Sequence, residues 1–219
     1  MRIGISLTMK LRSNSIYGDK QMIVKRNLGD IAELTAGVIS QRVLADKEDG
    51  ETGDSVFVLV PKAIHDGELD ENCLSTEMLK KDIGIKQYGK FLARDGDIVM
   101  KFSSPYDACK VIMKDVDKTI LVPSFCCRIR ITDPSVDAEY LVTFLNSSSC
   151  RKELDDRCHT RTINLTRKSD LEEIEVPILT PEKQKEIARR YMNLLKLKKK
   201  VSSLMELEDE RNTVLFDGE

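Results

Sequence analysis

Residues 180–212 read TPEKQKEIARRYMNLLKLKKKVSSLMELEDERN, and this run decides how the rest of the chain is divided. Thr180 suits an N-cap, Pro181 the first helical position, and Glu182 the positive end of a helix dipole. No Pro or Gly interrupts the run before Gly218. It predicts one helix of about 33 residues, roughly 50 Å long at ~1.5 Å per residue. That is about three times the usual length of a globular helix. Ile187, Leu194 and Val201 recur at heptad spacing, with Leu197 and Leu204 in the complementary set. The pattern is the narrow apolar seam of a coiled coil. Glu208 and Arg211 interrupt it near the end.

The charges on this helix are polarised. Residues 181–200 carry eight Lys/Arg and two Glu, whereas residues 201–219 carry six Asp/Glu and one Arg. Two copies packed antiparallel set each basic half against the partner's acidic half. Parallel packing sets like against like. The plain alternative is a solvated helix docked on its own domain. The polarity favours pairing with a second helix of the same kind, in another copy or in a partner protein.

A chain of 219 residues suits one globular domain plus this helix. The expected division is residues 1–179 for the domain and 180–219 for the helix and tail. A formal net charge of −2 gives no global signature for nucleic acid. The balance is local: residues 1–29 hold six bases and one acid, and residues 83–130 nine bases and five acids. The segments between and after them are acidic. Two separated basic patches are compatible with a small DNA footprint, although a charge run is more often a solvated face. No segment approaches 18 continuous apolar residues, so no membrane span is expected. The opening residues MRIGISLTMKLRSN lack the apolar core of a signal peptide. Six Cys at no framework spacing read as reduced thiols of a cytoplasmic protein.

Along residues 1–130 the pattern is mainly β with irregular loops. Alternation predicts a strand over 2–11, with further strands near 22–24, 55–60, 98–102, 110–114, 119–122 and 125–131. Residues 28–34 suit a short helix or turn, 74–81 a short helix, and RDGD at 94–97 a tight turn. The period then changes. Residues 137–145 place Tyr140, Leu141, Phe144 and Leu145 on one helical face, and 150–157 suit a second helix. Residues 158–168 are polar and loop-like. Ser169 with Glu172 is a capping-box pattern. The fold class expected is α+β: a mainly β domain, helices toward its end, then one long coiled-coil-like helix.

In this order the pieces resemble a target recognition domain of a type I restriction–modification DNA specificity subunit with its following spacer helix. LGDIAELTAG and VFVLVPKAIHDGEL are similar to the family's opening segment. LARDGDIVMKFSSPYDACKVI resembles its GDI strand and the small-residue loop after it, and AEYLVTFLNSSSCRKEL its helical segment. TRTINLTRKSDLEEIEVPILTPEKQKEIA resembles the most specific signature, which ends in a Pro-containing strand and a Gln-containing helix start. The resemblance covers residues 28–212. The sequence departs from it at Ser103-Ser104-Pro105 and at His159, where Gly is usual.

The resemblance implies a non-catalytic subunit that reads one half of a split double-stranded DNA target. It implies docking of a methyltransferase (modification) subunit, which holds the S-adenosylmethionine, and often of a restriction subunit. The specificity chain itself needs no cofactor. The usual family subunit has two recognition domains and two antiparallel spacer helices; this chain has one of each and no internal repeat. It is therefore expected to act as a homodimer, its seam formed by Ile187, Leu194, Leu197, Val201 and Leu204. A two-fold axis near 199–201 and a palindromic target follow. Candidate DNA contacts fall in three clusters. Lys86, Gln87, Tyr88 and Lys90 form the first, Lys101, Ser103, Ser104 and Tyr106 the second, and Thr160, Arg161 and Asn164 the third. Lys and Arg suit phosphates, and Gln, Asn and hydroxyls suit phosphates or base edges. Each cluster could equally be an ordinary polar loop.

Other chemistry has little support. Cys150, Cys158 and His159 lack a CxxC pair and a fourth metal ligand. Cys126 and Cys127 are adjacent on a strand pattern and so point to opposite faces. Neither GxxxxGK[ST] nor GxGxxG occurs. The serious alternative to DNA reading is a protein–protein adaptor that docks a partner through the long helix. Salt dependence separates the two, because DNA binding weakens steeply as salt rises.

Overall fold

The structure, a computed structural model, describes residues 23–45, 54–65, 67–80, 88–113, 119–158 and 165–217. The strand expected over 2–11 lies outside them. The strands in chain order are β1 (Val24–Asn27), β2 (Ala32–Ala36), β3 (Ser55–Val58), β4 (Ile64–His65), β5 (Glu68–Leu69), β6 (Ser75–Met78), β7 (Leu92–Ala93), β8 (Ile98–Lys101), β9 (Ala108–Lys110), β10 (Ile120–Leu121), β11 (Cys126–Ile131) and β12 (Glu175–Ile178). The helices are α1 (Leu28–Ile31), α2 (Ala138–Leu145), α3 (Ser148–Cys158), α4 (Lys168–Glu172) and α5 (Pro181–Asp217). The α+β class and the long terminal helix are as the sequence predicts.

Strand β11 is the centre of the domain. It pairs antiparallel with β2 on one side and β8 on the other, in a sheet of order β2-β11-β8-β9. A second sheet, β6-β3-β10-β7, covers one face of the first; helices cover the other. The pleat explains the division, since successive side chains point to opposite faces. Cys127 and Ile129 lie in the helix-side core with Leu141 and Leu171. Cys126 lies in the inter-sheet core with Val99, Cys109 and Ile120. The two adjacent cysteines do face opposite ways. A third cluster, with Val43, Val56, Leu79 and Leu121, closes the far face of the second sheet.

Three local expectations need correction. Residues 74–81 carry Leu, Glu, Met and Lys and read as a helix, but β6 pairs antiparallel with β3 from Ser55–Met78 to Val58–Ser75. Ladder bonds and packing override a weak intrinsic propensity there. The strand expected over 110–114 is β9 and ends at Lys110. At α4, Asp170 rather than Glu172 closes the first turn, its carboxylate accepting from the Arg167 N–H at 2.7 Å. Asp137 does cap α2, accepting from the Tyr140 N–H at 2.9 Å.

Helix α5 has 37 residues and at ~1.5 Å per residue is about 55 Å long. Its first turns belong to the domain. Gln184, Ala188 and Leu195 are buried, and Ile187 and Tyr191 pack on the helix-side core. The division expected between 179 and 180 therefore falls before turns of α5 that are docked on the domain. The β4–β5 turn also rests on α5: a Cβ at Gly67 (φ +76°) would stand 3.0 Å from Leu195 Cδ1. Glu68 of the same turn pairs with Lys199. Beyond Leu195 every described side chain of α5 except Asn212 is exposed. No described helix is long and apolar enough to cross a membrane.

Candidate nucleic-acid interface

One end of the β2-β11-β8-β9 sheet gathers three loops. The register sets Ala36 opposite Cys127, and Cys126 opposite Lys101. The chain therefore leaves β8 at 102–107 beside the segment 123–125 that enters β11. Backbone bonds join them: the Phe102 N–H donates to the Phe125 carbonyl at 2.9 Å, and the Thr166 N–H to the Phe102 carbonyl at 2.9 Å. Gly37 completes the edge, donating to the Cys126 carbonyl at 2.9 Å. It must be glycine, because a Cβ there would lie 2.1 Å from the Pro123 oxygen.

Beneath the 102–107 loop lies a polar anchor. The Asp107 carboxylate accepts from Lys101 Nζ at 2.9 Å and from Arg151 at 2.8 Å. Asn146 accepts from the Ala108 N–H at 3.0 Å and donates to its carbonyl at 2.7 Å, taking the place of a neighbouring strand. Tyr106 stands in the left-handed region (φ 57°), where a bulky residue is strained. Its N–H closes a turn onto the Ser103 carbonyl at 2.8 Å. Burial, then hydrogen bonds to Cys158 and Asp155, push its phenol pKa upward.

The expected site residues divide accordingly. Ser103 and Ser104 are exposed on the loop. Tyr106 is fully buried in the helix-side core and is an anchor, not a contact. Lys101 is mostly buried and committed to Asp107. Lys90 is exposed with its Nζ 4.9 Å from the Phe91 ring centre, and Tyr88 is half-buried against Phe91. This cluster joins the edge through the Phe91 carbonyl, which accepts from the Val122 N–H at 2.9 Å. Lys86, Gln87, Thr160, Arg161 and Asn164 lie outside the described residues. The last three flank the edge in sequence, since 165–167 form part of it. Sequence reasoning missed exposed Ser124, Phe125, Leu165 and Arg167 at the same edge. The alternation predicts a strand from Phe125, and only pairing shows that β11 begins one residue later.

Of the seam residues, Ile187 is packed against the domain core and is withdrawn from the exposed set. Leu194, Leu197, Val201 and Leu204 are all exposed, from 48% at Val201 to 66% at Leu204. Leu207, Val214, Leu215 and Phe216 extend the exposed apolar surface. The free cysteines other than Cys73 are buried, and burial pushes the thiols of Cys126, Cys127 and Cys150 up to about 12. Among the described residues no cluster of three or more His, Cys, Asp or Glu could hold a metal.

This architecture is similar to solved structures of one system. A chain from a structure of type I restriction–modification complex assembly aligns over 90% of this chain and 45% of its own, at 13% identity and a TM-score of 0.57. The HsdS subunit from Thermoanaerobacter tengcongensis aligns over 94% of this chain and 48% of its own, at 12% identity and a TM-score of 0.53. The chain has the HsdS fold. It spans about half the length of these two chains. No family model matches the chain, and no curated protein does.

Proposed function

We propose that the chain is a DNA sequence-specificity subunit of a type I restriction–modification system that reads one half-site of a split double-stranded target. One observation carries the reading: a fold shared with an HsdS subunit over 94% of the chain. Residues 1–179 with the docked turns of α5 form the recognition domain. The rest of 180–219 is the dimerisation helix. Two copies supply the two half-sites, and the exposed seam with its polarised charge pairs them antiparallel. The methyltransferase subunit, and where present the restriction subunit, dock on this dimer in the cytoplasm. Catalysis and S-adenosylmethionine belong to the methyltransferase partner.

The reading edge comprises loops 102–105, 123–125 and 165–167, with Lys90 beside it. Ser103, Ser104 and Ser124 offer hydroxyls to phosphates or base edges, and Arg167 offers a phosphate contact. Exposed Phe125 suits apolar contact with a thymine methyl. Lys86, Gln87, Tyr88, Thr160, Arg161 and Asn164 remain proposed contacts.

The test is selection of the purified chain against a pool of random duplexes, followed by binding of the enriched duplex at several salt concentrations. A split palindrome, and an affinity that falls linearly on logarithmic axes with salt, are expected. Absence of enrichment together with salt-independent capture of a protein partner through α5 would favour the adaptor reading instead.

A further inference from the structure

We propose that the 3-10 turn Ser40–Arg42 is a further DNA contact, in which Arg42 binds a phosphate and Gln41 reads the edge of an adenine. This rests on the DNA reading above and adds a segment outside the three clusters named from the sequence. Nothing local marks the turn, because it lies in the acidic stretch 30–82, with thirteen acids and five bases.

The fold carries this turn to the reading edge. Just after β2, the Gly37 N–H donates to the Cys126 carbonyl at 2.9 Å and the Val38 N–H to the Val122 carbonyl at 3.0 Å. Val38 bridges Pro123 in parallel, so the chain beyond it runs in the direction of Ser124. It then arches over and returns at Val43, which is fully buried with Val56, Leu79 and Leu121. The arch is held in shape. The Arg42 N–H donates to the Ile39 carbonyl at 2.9 Å, and the Val43 N–H to the Ser40 carbonyl at 3.0 Å. Lys80 Nζ donates to the Gln41 carbonyl at 2.9 Å. Between buried Val38 and Val43, the side chains of Ile39, Gln41 and Arg42 are exposed. The Gln41 amide and the Arg42 guanidinium have no hydrogen-bond or ion-pair partner among the described residues. A backbone fixed in this way loses little further freedom when a ligand binds.

Spacing and chemistry fit DNA. Four segments stand side by side at this end of the sheet, in the order 165–167, 102–105, 123–126 and 37–42. The backbone bonds from Thr166 to Phe102, from Phe102 to Phe125 and from Gly37 to Cys126 join them in series. Bonded segments lie about 4.8 Å apart, so the outer two are roughly 14 Å apart. That is close to the ~12 Å width of the major groove and about twice the width of the minor groove. Each outer segment carries an exposed arginine, Arg167 on one side and Arg42 on the other. Cations at both sides meet phosphates of the two strands, and the groups between them face base edges. Gln41 adjoins Arg42, and its amide supplies the donor and acceptor that match N7 and N6 of adenine.

The test compares the full chain with Arg42→Ala, Gln41→Ala and Arg94→Ala. Each is selected against a pool of random duplexes, and its binding to the duplex enriched by the parent is measured at several salt concentrations. All three side chains are exposed, so the variants should melt with the parent. Arg42→Ala should keep the motif and lower the salt slope by about 1. Arg94 lies in the turn that precedes the opposite end of β8, and Arg94→Ala should leave the slope as it is. Gln41→Ala should lose about tenfold or more of the preference at one A·T position. Replacing that adenine by 7-deazaadenine should weaken the parent by a similar factor and leave Gln41→Ala unaffected. An unchanged motif in Gln41→Ala together with an unchanged slope in Arg42→Ala would overturn the inference and spare the DNA reading. Equal losses of slope in Arg42→Ala and Arg94→Ala would also overturn it, since net charge rather than contact would be the cause. A parent chain that enriches no duplex would remove the DNA reading itself, and this contact with it.

Discussion

Gln184 and Asp137 are joined at 2.8 Å: the Gln184 side-chain oxygen accepts the Asp137 backbone N–H at the start of α2. The same amide donates to the Ser135 and Leu179 carbonyls, each at 2.8 Å. One fully buried side chain thus ties the first turn of the long helix to the domain. Gln184→Leu removes these partners and leaves an N–H and two carbonyls unpaired. It should destabilise the domain by about 1–3 kcal/mol for each group left unsatisfied, read as a lower denaturation midpoint at unchanged slope. Gln184→Glu should recover less than half, because it keeps the acceptor and loses both donors.

The two halves of α5 should respond oppositely to substitution. Leu195→Ala, in the docked half, should cost about 2–5 kcal/mol, as large-to-small changes in a core do. Leu194, Val201 and Leu204 changed together to Asp should leave the thermal stability of the β domain within a few degrees of the parent while halving the mass seen by light scattering. If the triple variant unfolds the domain, the exposed half is not the independent arm that its exposure indicates.

Asp107 holds two cations, and Lys101 and Arg151 both lose their partner in Asp107→Ala. Breaking a buried ion pair from one side costs about 3–5 kcal/mol; Arg151 is one-third exposed, which puts this case at the low end. The variant should also weaken selection for a DNA motif, because the 103–105 loop loses its anchor. Arg167→Ala should behave differently. It should leave the selected motif unchanged and lower the salt slope by about 1, as removal of one phosphate contact does.

Acid should destabilise the fold in a traceable way. Hydrogen bonds from Ser135, and then the Arg26 guanidinium, hold the Asp133 carboxyl below the usual carboxylate value. A depressed pKa contributes stability that is present above the unfolded value, near 4, and is lost as pH falls through the folded value. Asp133→Asn should therefore flatten the stability profile below about pH 4 and lower stability at neutral pH. Denaturation midpoints from pH 7 to pH 3 would show it.

Thiol chemistry checks the packing around β11. Five of the six cysteines are buried. Ellman's reagent at mildly alkaline pH should find at most one slowly reacting thiol in the native chain and six after denaturation. Cys73 should be that thiol, slowed because its Sγ donates to Asp70 at 3.2 Å and its pKa is raised. Rapid reaction at Cys126 or Cys127 would contradict the two-sided burial of β11.

The sequence by itself determined the α+β order, the turn at 94–97, the helices after residue 137 and the uninterrupted helix from 181. These are local matters: periodicity, turn chemistry and capping act within a few residues. It also carried the polarity of α5, since charge is a property of composition. What only the tertiary structure decided was which neighbours each segment meets. β6 is a strand because β3 offers it a ladder, against its own propensity. Tyr106 and Lys101 read as polar loop residues, yet the fold turns one into the core and pairs the other with Asp107. Phe125, Leu165 and Arg167 became parts of one edge through hydrogen bonds between segments more than 20 residues apart. The seam on α5 is legible as a repeat, but its usable start is not. The domain covers Ile187 and Leu195, and a residue buried at home is lost to a partner.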